Sequence, residues 1–285
     1  MADRASYRPV KKCVLAVILA AAFFSDVYAA EQAETERLIR RITPPLAIAE
    51  MGPEKKDEMY VDSFYEQSGI LQGARTGHWN ELTNRFGYTH RNIQGYFSIS
   101  ELERFDDRDY TANAGSYISM KDSYVHFEGG FGWRVDYIYQ IQTIVEYGHK
   151  LYDTMFWQVG YNYRAYDPRD THLVYPGLIY YFGDSYINAD WGVSYIESRD
   201  TSQFGTVGGN FAITDFLRFS LGVAFGQRLY DIYELDAWRE FGYILFTGLN
   251  FKVYKGISFR AGYSYSEEKP RFIKRSLNFA LAVKF

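Results

Sequence analysis

Five histidines, at positions 78, 90, 126, 149 and 172, are the chain's most obvious candidates for proton-transfer chemistry. None has a serine at a spacing that would mark a nucleophile and its base, although a triad assembled in space need not be visible in chain order. His126 and Glu128 share one face of a single extended segment, a juxtaposition that alternation produces often by chance. No GxSxG, HExxH or phosphate-loop pattern occurs. The single cysteine, Cys13, lies in a segment expected to be removed and lacks the setting of a lipoprotein anchor. No cofactor or metal is expected, and the reading from chemistry alone is a protein that is not an enzyme. An outer-membrane enzyme acting on lipid or peptide stays as an alternative, testable by esterase and protease assays.

A second set of polar residues is more informative because of its spacing. Gln140, Gln142, Glu146, Arg164, Asp190, Arg218, Asn250, Lys252 and Arg260 sit at alternate positions, between apolar neighbours. Trp157, Val159, Tyr161 and Tyr163 oppose Gln158, Gly160, Asn162 and Arg164. Ile187, Ala189, Trp191, Val193 and Tyr195 oppose Asn188, Asp190, Gly192 and Ser194. Leu217, Phe219, Leu221, Val223 and Phe225 oppose Arg218, Ser220, Gly222, Ala224 and Gly226, and Ile257–Tyr265 repeats the scheme. A period of two means β-strands with one apolar face. In a soluble sandwich the polar face would be solvated and rich in Lys, Glu and Thr; here it is rich in Gly, Ser, Ala and Asn, which suits a crowded polar interior. The nine residues are therefore expected to line a lumen, either as a salt-bridge network that fills it or as a lining that selects a hydrophilic solute.

Fourteen alternating segments are expected: 60–70, 79–90, 92–104, 109–119, 121–131, 135–148, 154–166, 170–182, 185–197, 202–214, 216–228, 239–253, 256–266 and 273–285. Most reach the roughly 9–11 residues that cross a bilayer at a tilt. The fold class is all-β, a closed antiparallel transmembrane barrel of 14 strands. Twelve is the alternative count, because 60–70 and 92–104 alternate poorly. Connections after even-numbered segments are tight, whereas those after odd-numbered ones include 71–78, 198–201, 229–238 and 267–272. Short turns on one rim and longer loops on the other is the outer-membrane pattern. One of those loops carries Tyr230, Tyr233, Glu234, Asp236 and Trp238, aromatic and acidic groups able to contact a sugar or to form an ordinary interfacial belt. The final segment places Leu277, Phe279, Leu281, Val283 and Phe285 on one face and closes on an aromatic residue, the signal expected to be read by the barrel-assembly machinery.

Composition agrees. Aromatic residues make up 19% of the chain, 27 of them Tyr, as interfacial girdles require. Arg8, Lys11 and Lys12 precede the twelve-residue apolar run Cys13–Phe24, and Val27-Tyr28-Ala29 then offers a cleavage site. That run is too short to span a bilayer, so residues 1–29 read as an export signal cut after Ala29. Its removal leaves 27 basic against 33 acidic residues, a net charge of −6. Mild acidity argues against a nucleic-acid partner. Residues 30–59 are expected to form a periplasmic tail or a lumen plug, with a short helix over Glu31–Ile42 stopped by Pro44-Pro45. Residues 60–285 form the barrel.

From Arg85 onward the chain resembles the YaiO family of outer-membrane β-barrels. Arg85–Arg91 (RFGYTHR), Gly160–Arg164 (GYNYR), Tyr175–Asp190 (YPGLIYYFGDSYINAD), Gly226–Ile232 (GQRLYDI) and the terminal aromatic strand carry the resemblance. It implies an association with exopolysaccharide synthesis and export. Some members carry a helical tetratricopeptide region before the barrel; thirty residues cannot hold it here. A separate periplasmic export partner is therefore expected alongside polysaccharide, outer-membrane lipid and lipopolysaccharide. The resemblance brings no catalytic residues. The alternative function is a structural or adhesive surface barrel with an occluded lumen.

Overall fold

The computed structural model describes residues 57–285, except 74, 105–106, 136–137, 167–169, 197–200, 228–240 and 269–271. The export signal, the Glu31–Ile42 helix and nearly all of the 30–59 tail lie outside the described residues. Fourteen strands follow in order: β1 (Glu58–Gln72), β2 (Arg75–His90), β3 (Ile93–Arg104), β4 (Asp107–Ser119), β5 (Ser123–Trp133), β6 (Ile141–Tyr152), β7 (Met155–Ala165), β8 (Asp170–Phe182), β9 (Ser185–Ile196), β10 (Ser202–Thr214), β11 (Leu217–Gln227), β12 (Phe241–Tyr254), β13 (Ile257–Glu268) and β14 (Phe272–Lys284). Each pairs antiparallel with its neighbours in sequence, and β14 pairs with β1 from Tyr60↔Lys284 to Gln72↔Phe272 to close the barrel. The Phe285 amide donates to the Met59 carbonyl at 2.8 Å, extending the seam by one bond. Closure matters because lipid offers no partner to an open strand edge.

Alternation becomes orientation. On β9 the odd positions Ile187, Ala189, Trp191, Val193 and Tyr195 are all exposed, and Tyr186, Asn188, Asp190, Gly192 and Ser194 between them are all buried. The same split holds for β7, β8 and β14. Exposed side chains such as Phe97, Phe127, Leu178, Leu221, Leu245 and Phe279 make an outer surface no soluble monomer would show water. Near the two ends of that surface are paired rings: Tyr110–Trp133 and Tyr243–Tyr265 towards one rim, Tyr147–Trp157 and Tyr180–Phe182 towards the other. Aromatic girdles flanking an apolar band mark the two membrane–water interfaces.

The rims differ as expected. At one, only two or three residues separate β2 from β3, β4 from β5, β6 from β7, β8 from β9, β10 from β11 and β12 from β13. Gly183 (φ 60°) and Gly256 (φ 82°) make two of these turns in the left-handed region that a side chain disfavours. The other rim carries the longest connection, residues 228–240. The 71–78 loop is not there: β1 and β2 extend past it to Gln72 and Arg75, leaving a two-residue turn at Gly73 (φ 60°). The 135–148 segment also resolves differently. Its strand begins only at Ile141, and Val135 and Ile138 instead pack on the inward Leu102 of β3.

Candidate functional site: the inner wall

Three polar networks line the barrel interior. The first spans β5 to β10. Tyr124 donates to Glu146 at 2.6 Å and to Gln158 at 3.0 Å, and Tyr175 donates to Glu146 at 3.3 Å. Gln158 then donates to Asp190 Oδ1 at 2.8 Å, and Asn188 and Thr206 donate to Oδ2 at 3.2 and 3.1 Å. Two carboxylates thus accept from phenol, amide and hydroxyl donors spread over β5 to β10. Glycine makes the reach geometrically available: Tyr124 lies over Gly148, and Tyr175 over Gly160, so closely that a Cβ at either position would stand 2.0 Å from a ring carbon. The inward glycines of the sequence pattern are seats for the tyrosine rings of neighbouring strands.

A second network runs from β2 to β6. The Tyr96 hydroxyl contacts Glu128 and, at 2.8 Å, His126 Nε2. Tyr117 stacks on the His126 ring with centroids 3.9 Å apart and planes 6° apart. Gln142 donates to Glu128 at 2.9 Å, and the Arg85 guanidinium lies 4.7 Å over Tyr96. His126 and Glu128 do meet, through a tyrosine from another strand. A histidine–tyrosine–carboxylate chain of this kind can share protons. Nor, among the described residues, do three metal-ligating side chains come together.

The third network is ionic and sits under the longer-loop rim. Lys274 Nζ lies 3.0 Å from Glu66 Oε1, with the two side chains 2% and 0% exposed. Ser68 donates to the same carboxylate oxygen at 2.7 Å and meets Ser276 at 3.0 Å. Above it Trp79 is faced by two cations, Arg104 at 5.0 Å and Lys274 at 5.8 Å, and by Phe272 at 5.6 Å. Ile70, Ala224 and Ile244 complete an apolar cluster around that indole. Beside it the connection from β5 to β6 turns into the barrel: Ile138 and Tyr139 are buried, and Tyr139 donates to Asn113 of the inner wall at 2.9 Å.

The nine expected lining residues fall into three groups. Gln142, Arg164 and Asp190 are buried on the inner wall, and Glu146 is half-buried within the first network. Arg218, Asn250 and Arg260 lie side by side across β11, β12 and β13 near the short-turn rim, all half-buried. Arg218 donates to Asn210 at 3.3 Å and to the Asp184 carbonyl at 2.8 Å. Lys252 and Gln140 are exposed at opposite rims, and Gln140 precedes β6 rather than belonging to it. Its backbone still bridges Gly132 and Ala165. Leu277, Phe279, Leu281, Val283 and Phe285 share the outward face of β14 and its end. Tyr230, Tyr233, Glu234, Asp236 and Trp238 lie outside the described residues. Glu66, Lys274, Trp79, Tyr96 and Tyr124 are the interior residues that spacing alone did not single out.

A closed antiparallel barrel, greasy outside and hydrogen-bonded within, is a transmembrane β-barrel of the bacterial outer-membrane type. Solved structures agree on the fold. The chain is similar to the CymD monoaromatic hydrocarbon channel (TM-score 0.59, 7% identity, covering 91% of this chain and 95% of that one). It is also similar to a bacterial polysaccharide outer membrane secretin (TM-score 0.58, 9% identity, 82% of this chain and 100% of that one). A third similarity is to the translocator domain of the autotransporter NalP from Neisseria meningitidis (TM-score 0.50, 12% identity, 88% and 96%). No family model and no curated protein matches the chain.

Proposed function

We propose that this chain resides in the bacterial outer membrane and supports the passage or surface delivery of a hydrophilic polymer, a polysaccharide by its resemblance to the YaiO family. One observation carries the reading: the inner wall is built of hydroxyls, amides and carboxylates that continue from β2 round to β10. Such a wall offers a sugar polymer both donors and acceptors and offers a hydrocarbon little. Similarity to a barrel described as a polysaccharide outer membrane secretin is consistent with it.

The second reading, a structural or adhesive barrel with a filled lumen, is favoured by burial. Gln142 and Asn188 are each 1% exposed and the Glu66–Lys274 pair almost wholly so enclosed, whereas a wide aqueous pore would leave its lining accessible. Planar-bilayer recording separates the two. Ion current that long-chain dextran or an acidic polysaccharide blocks supports passage. A sealed protein without current, even after deletion of residues 30–56, supports the filled barrel and overturns the transport reading.

A further inference from the structure

The lipid-facing band is interrupted on two adjacent strands. On β1 the outward positions include Ser63, Gln67 and Gly69, and on β2 they include Asn84, interleaved with Val61, Tyr65 and Leu82. The neighbours on either side are ordinary lipid-facing residues: Leu277 and Phe279 of β14 are 51% and 41% exposed, and Ile99 of β3 is 43% exposed. The inner face of the same pair is mixed, with Phe64, Ile70 and Trp79 buried there beside Glu66, Ser68, Glu81 and Thr83. Polar and apolar residues on both faces are why residues 60–70 alternate poorly in the sequence.

Register brings the polar groups into two rows. Ser63 stands opposite Asn84 and donates to its Oδ1 at 2.8 Å, and Gln67 stands opposite Asn80. The Asn84 NH₂ and both ends of the Gln67 amide have no hydrogen-bond partner among the described residues. Ser63 and Asn84 lie mid-strand, and hydrocarbon cannot satisfy an amide, so leaving these groups against lipid is unfavourable. The row continues towards the longer-loop rim into Glu103 and Glu101 of β3 and the exposed Arg108 of β4, which lies 3.2 Å from Glu101.

We propose that the outward face of β1 and β2 is the contact surface for a second copy of this chain. Two features select that occupant. Amides carry donor and acceptor together, so the same patch turned through a two-fold axis satisfies itself. The rim end likewise holds both signs of charge, with Arg108 3.2 Å from Glu101 and 3.9 Å from Glu103 of its own chain, and across a two-fold axis the same pairs can be exchanged between copies; a differently charged partner would be matched by a patch of one sign. Because every strand edge is already paired, the copies meet through side chains and not by adding a strand. The inference does not depend on what the lumen carries.

Cysteine scanning tests it in the full chain, in a Cys13→Ser background where each reporter is the sole thiol. In native membranes under mild oxidation, Gln67→Cys gives a disulfide-linked species of twice the monomer mass. Leu178→Cys, equally outward on β8, stays monomeric. A dimer from both, from neither, or a link from Gln67→Cys to a different protein overturns the proposal. Independently, Gln67→Leu/Asn84→Leu raises the monomer fraction in lipid vesicles about tenfold, the loss of roughly one net amide contact between membrane segments. Retained β-sheet circular dichroism confirms that the variant folds. A wild-type chain that is already monomeric there also overturns it.

Discussion

Replacing Lys274 by Met strands a carboxylate. Glu66 is 0% exposed, and its Oε1 is shared between the Lys274 ammonium at 3.0 Å and the Ser68 hydroxyl at 2.7 Å. Methionine keeps most of the lysine stem volume, so packing around Trp79 is largely retained, while the charge that justifies burying Glu66 is lost. Breaking a buried pair on one side costs about 3–5 kcal/mol, because the remaining ion is left in a medium of low dielectric constant. That equals roughly two to three and a half orders of magnitude in the folding equilibrium. The weak contact of Lys274 with the indole, at 5.8 Å, adds at most about 1 kcal/mol, and Arg104 remains on that ring at 5.0 Å. Glu66→Gln exposes the opposite ion and costs a similar amount. Glu66→Gln/Lys274→Met removes both charges and recovers most of the loss, giving a coupling of about 2 kcal/mol or more. Reversible urea unfolding in phospholipid vesicles, followed by tryptophan fluorescence and gel mobility, reads all four corners of the cycle. Single variants that cost less than about 1 kcal/mol and add in the double would refute the view of this pair as a dry, closed ion pair.

Other consequences use the same assay. Gly160→Ala places a Cβ 2.0 Å from the Tyr175 ring and costs about 1–3 kcal/mol, whereas Gly160→Ala combined with Tyr175→Ala is largely relieved of the clash. Leu221→Arg, mid-strand on the lipid face, costs about 2–4 kcal/mol, and Tyr265→Arg, close to the rim girdle, about 1 or less. Tyr96→Phe removes the hydroxyl shared by His126 and Glu128 and costs about 1–3 kcal/mol through unsatisfied buried partners. Equal costs at Leu221 and Tyr265 would mean that depth in the bilayer does not govern the outer face.

Strand positions were legible to within a residue or two wherever alternation was clean: 170–182 and 202–214 match β8 and β10 at both ends. The exceptions have physical causes. Residues 135–140 are apolar enough to look like a strand, yet Val135 and Ile138 spend that character packing on Leu102 inside the barrel. The β1 segment hides its strand because each face mixes characters, with Val61, Tyr65 and Gln67 outside and Phe64, Glu66 and Ser68 inside. For the site, parity alone fixes which face a residue takes, and Gln142, Arg164 and Asp190 are buried on the inner wall. What spacing could not show is which residue on the next strand fills the gap above a glycine, and so spacing does not reveal the tyrosines at 96, 124 and 175 as members of the wall. The Glu66–Lys274 pair was equally hidden, because closure of the ring joins positions 208 residues apart in sequence.

The direct test of the whole arrangement uses tryptophan as its probe. Trp191 is 47% exposed on the outward face of β9, and Trp79 is 1% exposed within the barrel. In single-tryptophan variants reconstituted into vesicles, brominated acyl chains should quench Trp191 strongly and leave Trp79 bright. Equal quenching of the two, or a Trp191 reached by aqueous iodide and untouched by brominated lipid, would contradict an outer surface solvated by hydrocarbon.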